Sequence, residues 1–186
     1  MNVDVRIRDI LKETYILTGK IYDKNIINNL IYFIKNYKDT ELSYKTNVQG
    51  IFTGFNSLNE NGDFINFLKI IQPEIKSIYF DNFEIKNAWG NICKKGDEVL
   101  EHNHGGVTGF CGILYLTENG PGTYFKEHDL LVNEEIGKFI LFSPILKHSV
   151  KKIENDIERI TVAFNMHEIK KWNNLSNINW VNKNEI

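Results

Sequence analysis

His102-Asn103-His104 and Lys147-His148-Ser149 place three of the chain's five histidines where their imidazoles can converge. Side chains of an extended strand alternate with period two, so His102 and His104 share a face. A histidine on a later strand would then close a facial set of three around one divalent ion, and neutral imidazole suits Fe, Zn, Cu or Ni. Arg159 follows His148 by eleven positions (159 − 148), in the run Arg-Ile-Thr-Val-Ala-Phe-Asn. Its guanidinium is a planar, permanently charged fork for a carboxylate. Flanked by Ile160, Val162 and Phe164, it either points outward or is buried with an anion. A metal site and an anion anchor in one β-rich half would serve non-haem iron chemistry with an oxo-acid cosubstrate. His128 and His167 have no comparable partners and are read as ordinary side chains.

Two helices and a set of short strands must hold these groups. Residues 1–20 read as an opening strand or irregular arm. From Asp23, a candidate N-cap, the residues Ile27, Leu30, Ile31 and Ile34 recur at helical spacing. Thr46 to Phe55 reads as a strand, followed by the polar turn Asn59-Glu60-Asn61-Gly62-Asp63. A second amphipathic helix starts near Phe64, with Phe67, Leu68 and Ile71 on one face. Pro73 is expected to interrupt or kink it before the pattern resumes through Ile75, Ile78 and Tyr79. After Phe83 the period becomes two, with strands expected at 84–92, 108–116, 122–126, 137–142, 149–153 and 159–165. Turn-forming residues separate them, among them Glu134-Glu135-Ile136-Gly137. This pattern predicts a mainly β fold, a small barrel or jelly roll, with the helices packed on one face.

The chain has 186 residues, enough for one domain with a sizeable core. Net charge is −2, which calls for neither nucleic acid nor an anionic membrane. No apolar run approaches the roughly 20 residues that span a bilayer. The opening residues lack the form of a secretory signal, and Cys93 and Cys111 are too few for a disulfide framework. A cytoplasmic location with buried free thiols is the expectation. We expect one domain over 1–186: helices and outer strands in 1–82, the barrel with the site in 83–168, and a polar tail in 169–186 with Trp180 as a candidate anchor.

Several motifs together carry a family resemblance. They are Trp89-Gly90-Asn91, Gly96, His102-Asn103-His104, Thr108-Gly109, Leu114-Tyr115-Leu116, Leu141-Phe142-Ser143-Pro144, Leu146-Lys147-His148-Ser149-Val150 and Arg159 to Asn165. In good order over the C-terminal half, they resemble the 2-oxoglutarate/Fe(II)-dependent oxygenase superfamily. The likeness is greatest to a bacterial and phage group with His-x-His in its first metal motif, and more distant to prolyl hydroxylases. The resemblance implies a double-stranded β-helix with iron held at one open end. It implies His102 and His148 as metal ligands, and Arg159 as the partner of the far carboxylate of 2-oxoglutarate. Tyr115 would hydrogen-bond that carboxylate, and Asn91 would lie on a strand facing the cosubstrate. The implied activity couples oxidative decarboxylation of 2-oxoglutarate to hydroxylation of a small molecule or peptide. A peptidyl proline is one candidate substrate, and ascorbate a candidate requirement for turnover.

The superfamily's usual His-x-Asp is His-x-His here, so a neutral imidazole stands where a carboxylate normally supplies charge. His104 is read as the third ligand. The alternative puts it outside the coordination sphere, with a carboxylate such as Glu101, Asp97 or Asp129 completing the set. A cupin-type metalloprotein or isomerase would share the barrel and the three histidines. Its first motif would need a glutamate near Val107-Thr108-Gly109, its second a glycine two residues after Pro144, and it has no place for Arg159. A metal-free interaction domain is the third class.

Overall fold

The alternating apolar residues that follow Phe83 fold into antiparallel strands, which the N-terminal third completes rather than merely covers. The structure, a computed structural model, describes residues 4–11, 14–38, 47–78 and 83–169. Strands β1 (Asp4–Leu11) and β2 (Thr14–Lys20) form a hairpin, followed by helix α1 (Lys24–Asn36), strand β3 (Ile51–Phe52) and helix α2 (Gly62–Ile78). Then come β4 (Phe83–Cys93), β5 (Val99–His102), β6 (Phe110–Tyr115), β7 (Thr123–Phe125), β8 (Leu130–Val132), β9 (Lys138–Phe142), β10 (His148–Val150) and β11 (Arg159–Glu168). Seven strands form one sheet in the order β1-β2-β9-β6-β11-β4-β3, and four form another in the order β5-β10-β7-β8. The two sheets face each other as a jelly roll of the double-stranded β-helix type.

Alternation along β11 divides the molecule into two cores. Ile160, Val162, Phe164 and Met166 point to the helix layer, where they meet Leu30 and Ile34 of α1 and Phe64, Phe67 and Ile71 of α2. Arg159, Thr161 and Ala163 point the other way, into the cavity between the sheets. Cys111, Ile113 and Tyr115 of β6, Phe125, Ile140 and Phe142 form the second core. Helix α1 starts where Asp23 accepts from the N–H groups of Asn25 and Ile26 at 3.0 and 3.2 Å. It lies so close to β4 that a Cβ on Gly90 would sit 2.4 Å from Ile34 Cγ1, so this contact admits only glycine.

Several expectations are corrected. The opening arm is a two-stranded hairpin, and β2 pairs with β9 to extend the larger sheet. Pro73 does not end α2, because it sits on the exposed side while buried Ile71 and Ile75 hold both flanking turns. Of the strand expected from Thr46 to Phe55, Ile51–Phe52 forms β3 and Val48 makes an isolated bridge to Val99; Thr46 lies outside the described residues. Two strands, β5 and β8, carry too little alternation to be read in advance. Tyr79 and the tail with Trp180 lie outside the described residues. Cys93 and Cys111 are buried free thiols, as expected.

Candidate metal centre and anion pocket

His102 closes β5 and His148 opens β10, and the two are directly paired across the smaller sheet. Their ring centroids are 4.3 Å apart. His104 lies beyond the end of β5, so the expected sharing of one strand face does not bring it in. Backbone ties do: His104 N–H donates to Pro144 O at 2.8 Å, and Val107 N–H donates to His104 O at 3.2 Å. The first bond joins the exit of β5 to the turn that precedes β10. The His104 ring then stands 5.1 Å from His102 and 5.2 Å from His148, nearly parallel to the latter. One ring nitrogen from each histidine lies within 4.8 Å of the other two, close enough to share one metal ion.

The neutral state of the rings favours coordination. Nδ1 of His102 donates to Leu100 O at 2.8 Å, and Nδ1 of His148 to Leu146 O at 3.2 Å. A carbonyl can only accept, so each neutral ring carries its proton on Nδ1 and keeps the Nε2 lone pair free. Burial lowers all three basicities. It takes His104 to about 4 and His148 to about 3, helped by repulsion from His102 in both cases. His102 is lowered by burial against the opposing pull of the Leu100 carbonyl. Phe142 packs 4.7 Å from the His148 ring and Phe125 5.9 Å from it, an aromatic wall behind the ligands.

The carboxylates considered as alternative ligands are engaged elsewhere. Glu101 is exposed and lies 3.7 Å from Lys126 Nζ. Asp97 accepts from Lys94 N–H at 2.8 Å, and Asp129 from the Tyr124 hydroxyl at 2.9 Å. The residues present therefore fit a divalent metal held by three neutral imidazoles. His167 receives the Thr108 hydroxyl and plays no part in the cluster.

Arg159, Asn91 and Thr161 line the same cavity as the three histidines. Arg159 is 3% exposed, and its guanidinium carbon lies 5.5 Å from the Tyr115 ring. Asn91 Nδ2 is 3.5 Å from Thr161 Oγ1, while Asn91 Oδ1 and Arg159 Nη2 are buried without hydrogen-bond partners. Such orphaned atoms are costly unless something polar joins them. The cavity measures about 50 Å³.

Two further contacts bear on the anion end of the site. The Tyr115 hydroxyl donates to Thr123 Oγ1 at 2.7 Å, so reaching a ligand carboxylate would mean giving up that bond. Of the two places expected for Arg159 it takes the buried one, and the anion beside it is the protein's own: its Nε lies 3.2 Å from Oε1 of Glu134, whose side chain is wholly buried. Glu134 lies in the link between β8 and β9, read from sequence only as a turn. Neighbouring Glu135 is exposed and paired with Lys20 and Lys138, and nothing local distinguishes the two glutamates.

No family model matches the chain, and no curated protein matches it in sequence. Solved structures do match. The viral collagen prolyl hydroxylase of Paramecium bursaria Chlorella virus-1, in its 2-oxoglutarate complex, superposes with a TM-score of 0.64 at 14% identity, covering 85% of this chain and 97% of that one. The fold is that of the 2-oxoglutarate/Fe(II) oxygenases. HygX of Streptomyces hygroscopicus, with nickel and 2-oxoglutarate bound, gives 0.59 at 10% identity over 84% and 83% of the two chains. A prolyl hydroxylase from Trichoplax adhaerens, in complex with a hypoxia inducible factor peptide fragment, gives 0.58 at 13% identity over 84% of each. This oxygenase fold carries His102 and His148 on its smaller sheet, His104 just past the end of β5, and Arg159 on its larger sheet.

Proposed function

We propose that this chain is a 2-oxoglutarate- and Fe(II)-dependent dioxygenase, a single domain that couples oxidative decarboxylation of 2-oxoglutarate to hydroxylation of a small molecule or peptide. The observation that carries this reading is the sharing of one cavity by three converging imidazoles and the buried Arg159. A cupin-type site accounts for the histidines and gives no role to the unpartnered Arg159 Nη2 in the same cavity.

His102 and His148 would hold the metal through Nε2, each ring aimed by the carbonyl that its Nδ1–H engages. His104 would complete the set. Bound Fe(II) supplies the oxygen activation and electron transfer that side chains lack. Three neutral ligands leave the ion's charge uncompensated, which favours an anionic chelator such as the carboxylate end of an oxo-acid. Arg159 would take the far carboxylate through its unpartnered Nη2, and Asn91 would offer polar contacts between the two ends. The prolyl hydroxylases among the structural likenesses make a proline-containing peptide the first substrate to try.

The test is turnover of 2-oxoglutarate to succinate with Fe(II), with and without ascorbate and candidate peptides. Metal-dependent succinate formation that disappears in His148→Ala is expected. Metal-loaded protein that neither makes succinate nor gains thermal stability from 2-oxoglutarate would overturn the proposal.

A further inference from the structure

The Arg159–Glu134 pair bears on how an anion can be received. An arginine already matched by a buried carboxylate presents an incoming anion with a neutral pair instead of a cation. Adding a second carboxylate would leave a net negative charge in a buried site, a costly arrangement. The surroundings offer little to offset it. Both Glu134 oxygens are buried, the Gly120 backbone is the neutral polar group beside them, and a Cβ on Gly120 would sit 2.1 Å from Oε2, so the backbone there closes against the carboxylate. The charged and titratable groups that bear on Glu134 are Arg159 from β11, Tyr115 from β6 and Cys93 from β4. Burial raises both Tyr115 and Cys93, the latter to about 11, so neither is a ready source of negative charge or of a proton near neutrality.

We propose that Glu134 makes the anion pocket proton-coupled: the far carboxylate of 2-oxoglutarate binds Arg159 only as Glu134 takes up one proton. This rests on the dioxygenase reading above. The proton comes from solvent and converts the glutamate carboxylate to the acid. The net charge of Arg159, Glu134 and the ligand carboxylate is then zero after binding, as that of the protein pair was before it. Burial, opposed by Arg159 and by a backbone hydrogen bond from Gly120, already holds Glu134 up at about 7 in the ligand-free protein. The sign follows. Below that value Glu134 carries its proton and binding costs no uptake. Above it each pH unit should weaken 2-oxoglutarate binding about tenfold.

The experiment is calorimetric titration of Mn(II)-saturated full-length protein with 2-oxoglutarate, in pairs of buffers that differ in ionisation enthalpy, across neutral to alkaline pH. Saturating metal keeps the histidines from contributing protons. Near one proton taken up per ligand on the alkaline side is expected for the wild type, and none for Glu134→Gln, whose affinity should be nearly independent of pH. Infrared difference spectra of the wild type give a second readout that needs no variant, a protonated carboxyl band that appears when 2-oxoglutarate binds at alkaline pH. Binding with equal proton counts in wild type and variant, or with no such band, overturns this inference and leaves the dioxygenase reading standing. Failure of 2-oxoglutarate to bind either protein at any pH overturns that reading, and this inference with it.

Discussion

At the candidate metal centre a histidine stands where the resembled superfamily has an aspartate, which keeps a geometry fit for a metal and changes its charge. His104 is brought within reach of its partners by a backbone bond to Pro144, independent of what its side chain carries. Substitution there should therefore separate ligand chemistry from folding. His104→Asp keeps a donor at the position and is expected to retain stoichiometric metal. His104→Ala removes the donor and should lose most of it, while thermal unfolding of the two metal-free variants stays similar. Metal analysis after gel filtration checks this. Full stoichiometry in the alanine variant would mean that two histidines and a group outside the cluster hold the ion.

Among the elements, α1 and β4 are a closely fitted pair that bears on the site. Gly90 lies under Ile34 and directly precedes Asn91, which lines the cavity. Gly90→Ala would drive a methyl into Ile34, which has nowhere to go because it is 1% exposed. Overpacking of this kind costs roughly 1–3 kcal/mol, so urea unfolding should show a loss in that range. The strain should reach Asn91 as well, weakening oxo-acid binding more than metal binding, because His102 and His148 are carried by the other sheet and His104 by the segment that leaves it. An equal loss of both affinities would count against that division of labour.

For the whole molecule, the metal should act as a cross-link between parts distant in sequence. His102 and His148 lie 46 residues apart (148 − 102), on the two paired strands β5 and β10. A ligand that binds only the folded state stabilises by about 2.7 kcal/mol at a hundred times its Kd. For a chain of this length each kcal/mol shifts Tm by about 2–4 °C, so stripping the metal with a chelator should lower Tm by roughly 5–10 °C. The drop should vanish in His148→Ala. Scanning calorimetry of metal-loaded and stripped protein decides it.

The sequence by itself determined the layers and most of the residues that meet in the candidate site. Period-two alternation after Phe83 and helical spacing around Ile27 and Phe67 are local properties of the chain, and both are realised. The three histidines and Arg159 were legible because few residue types bind metals or carboxylates, and their order along the chain is distinctive. What only the tertiary structure decided depends on burial, which no local pattern encodes. β5 and β8 exist because neighbouring strands supply their hydrogen bonds. Pro73 stays helical because the core grips the turns on either side of it. His104 reaches its partners through a carbonyl forty residues downstream (144 − 104). Glu134 and Glu135 are identical neighbours in sequence. One ends at the surface between two lysines and the other inside against Arg159, because the link between β8 and β9 turns one side chain outward and the other into the barrel.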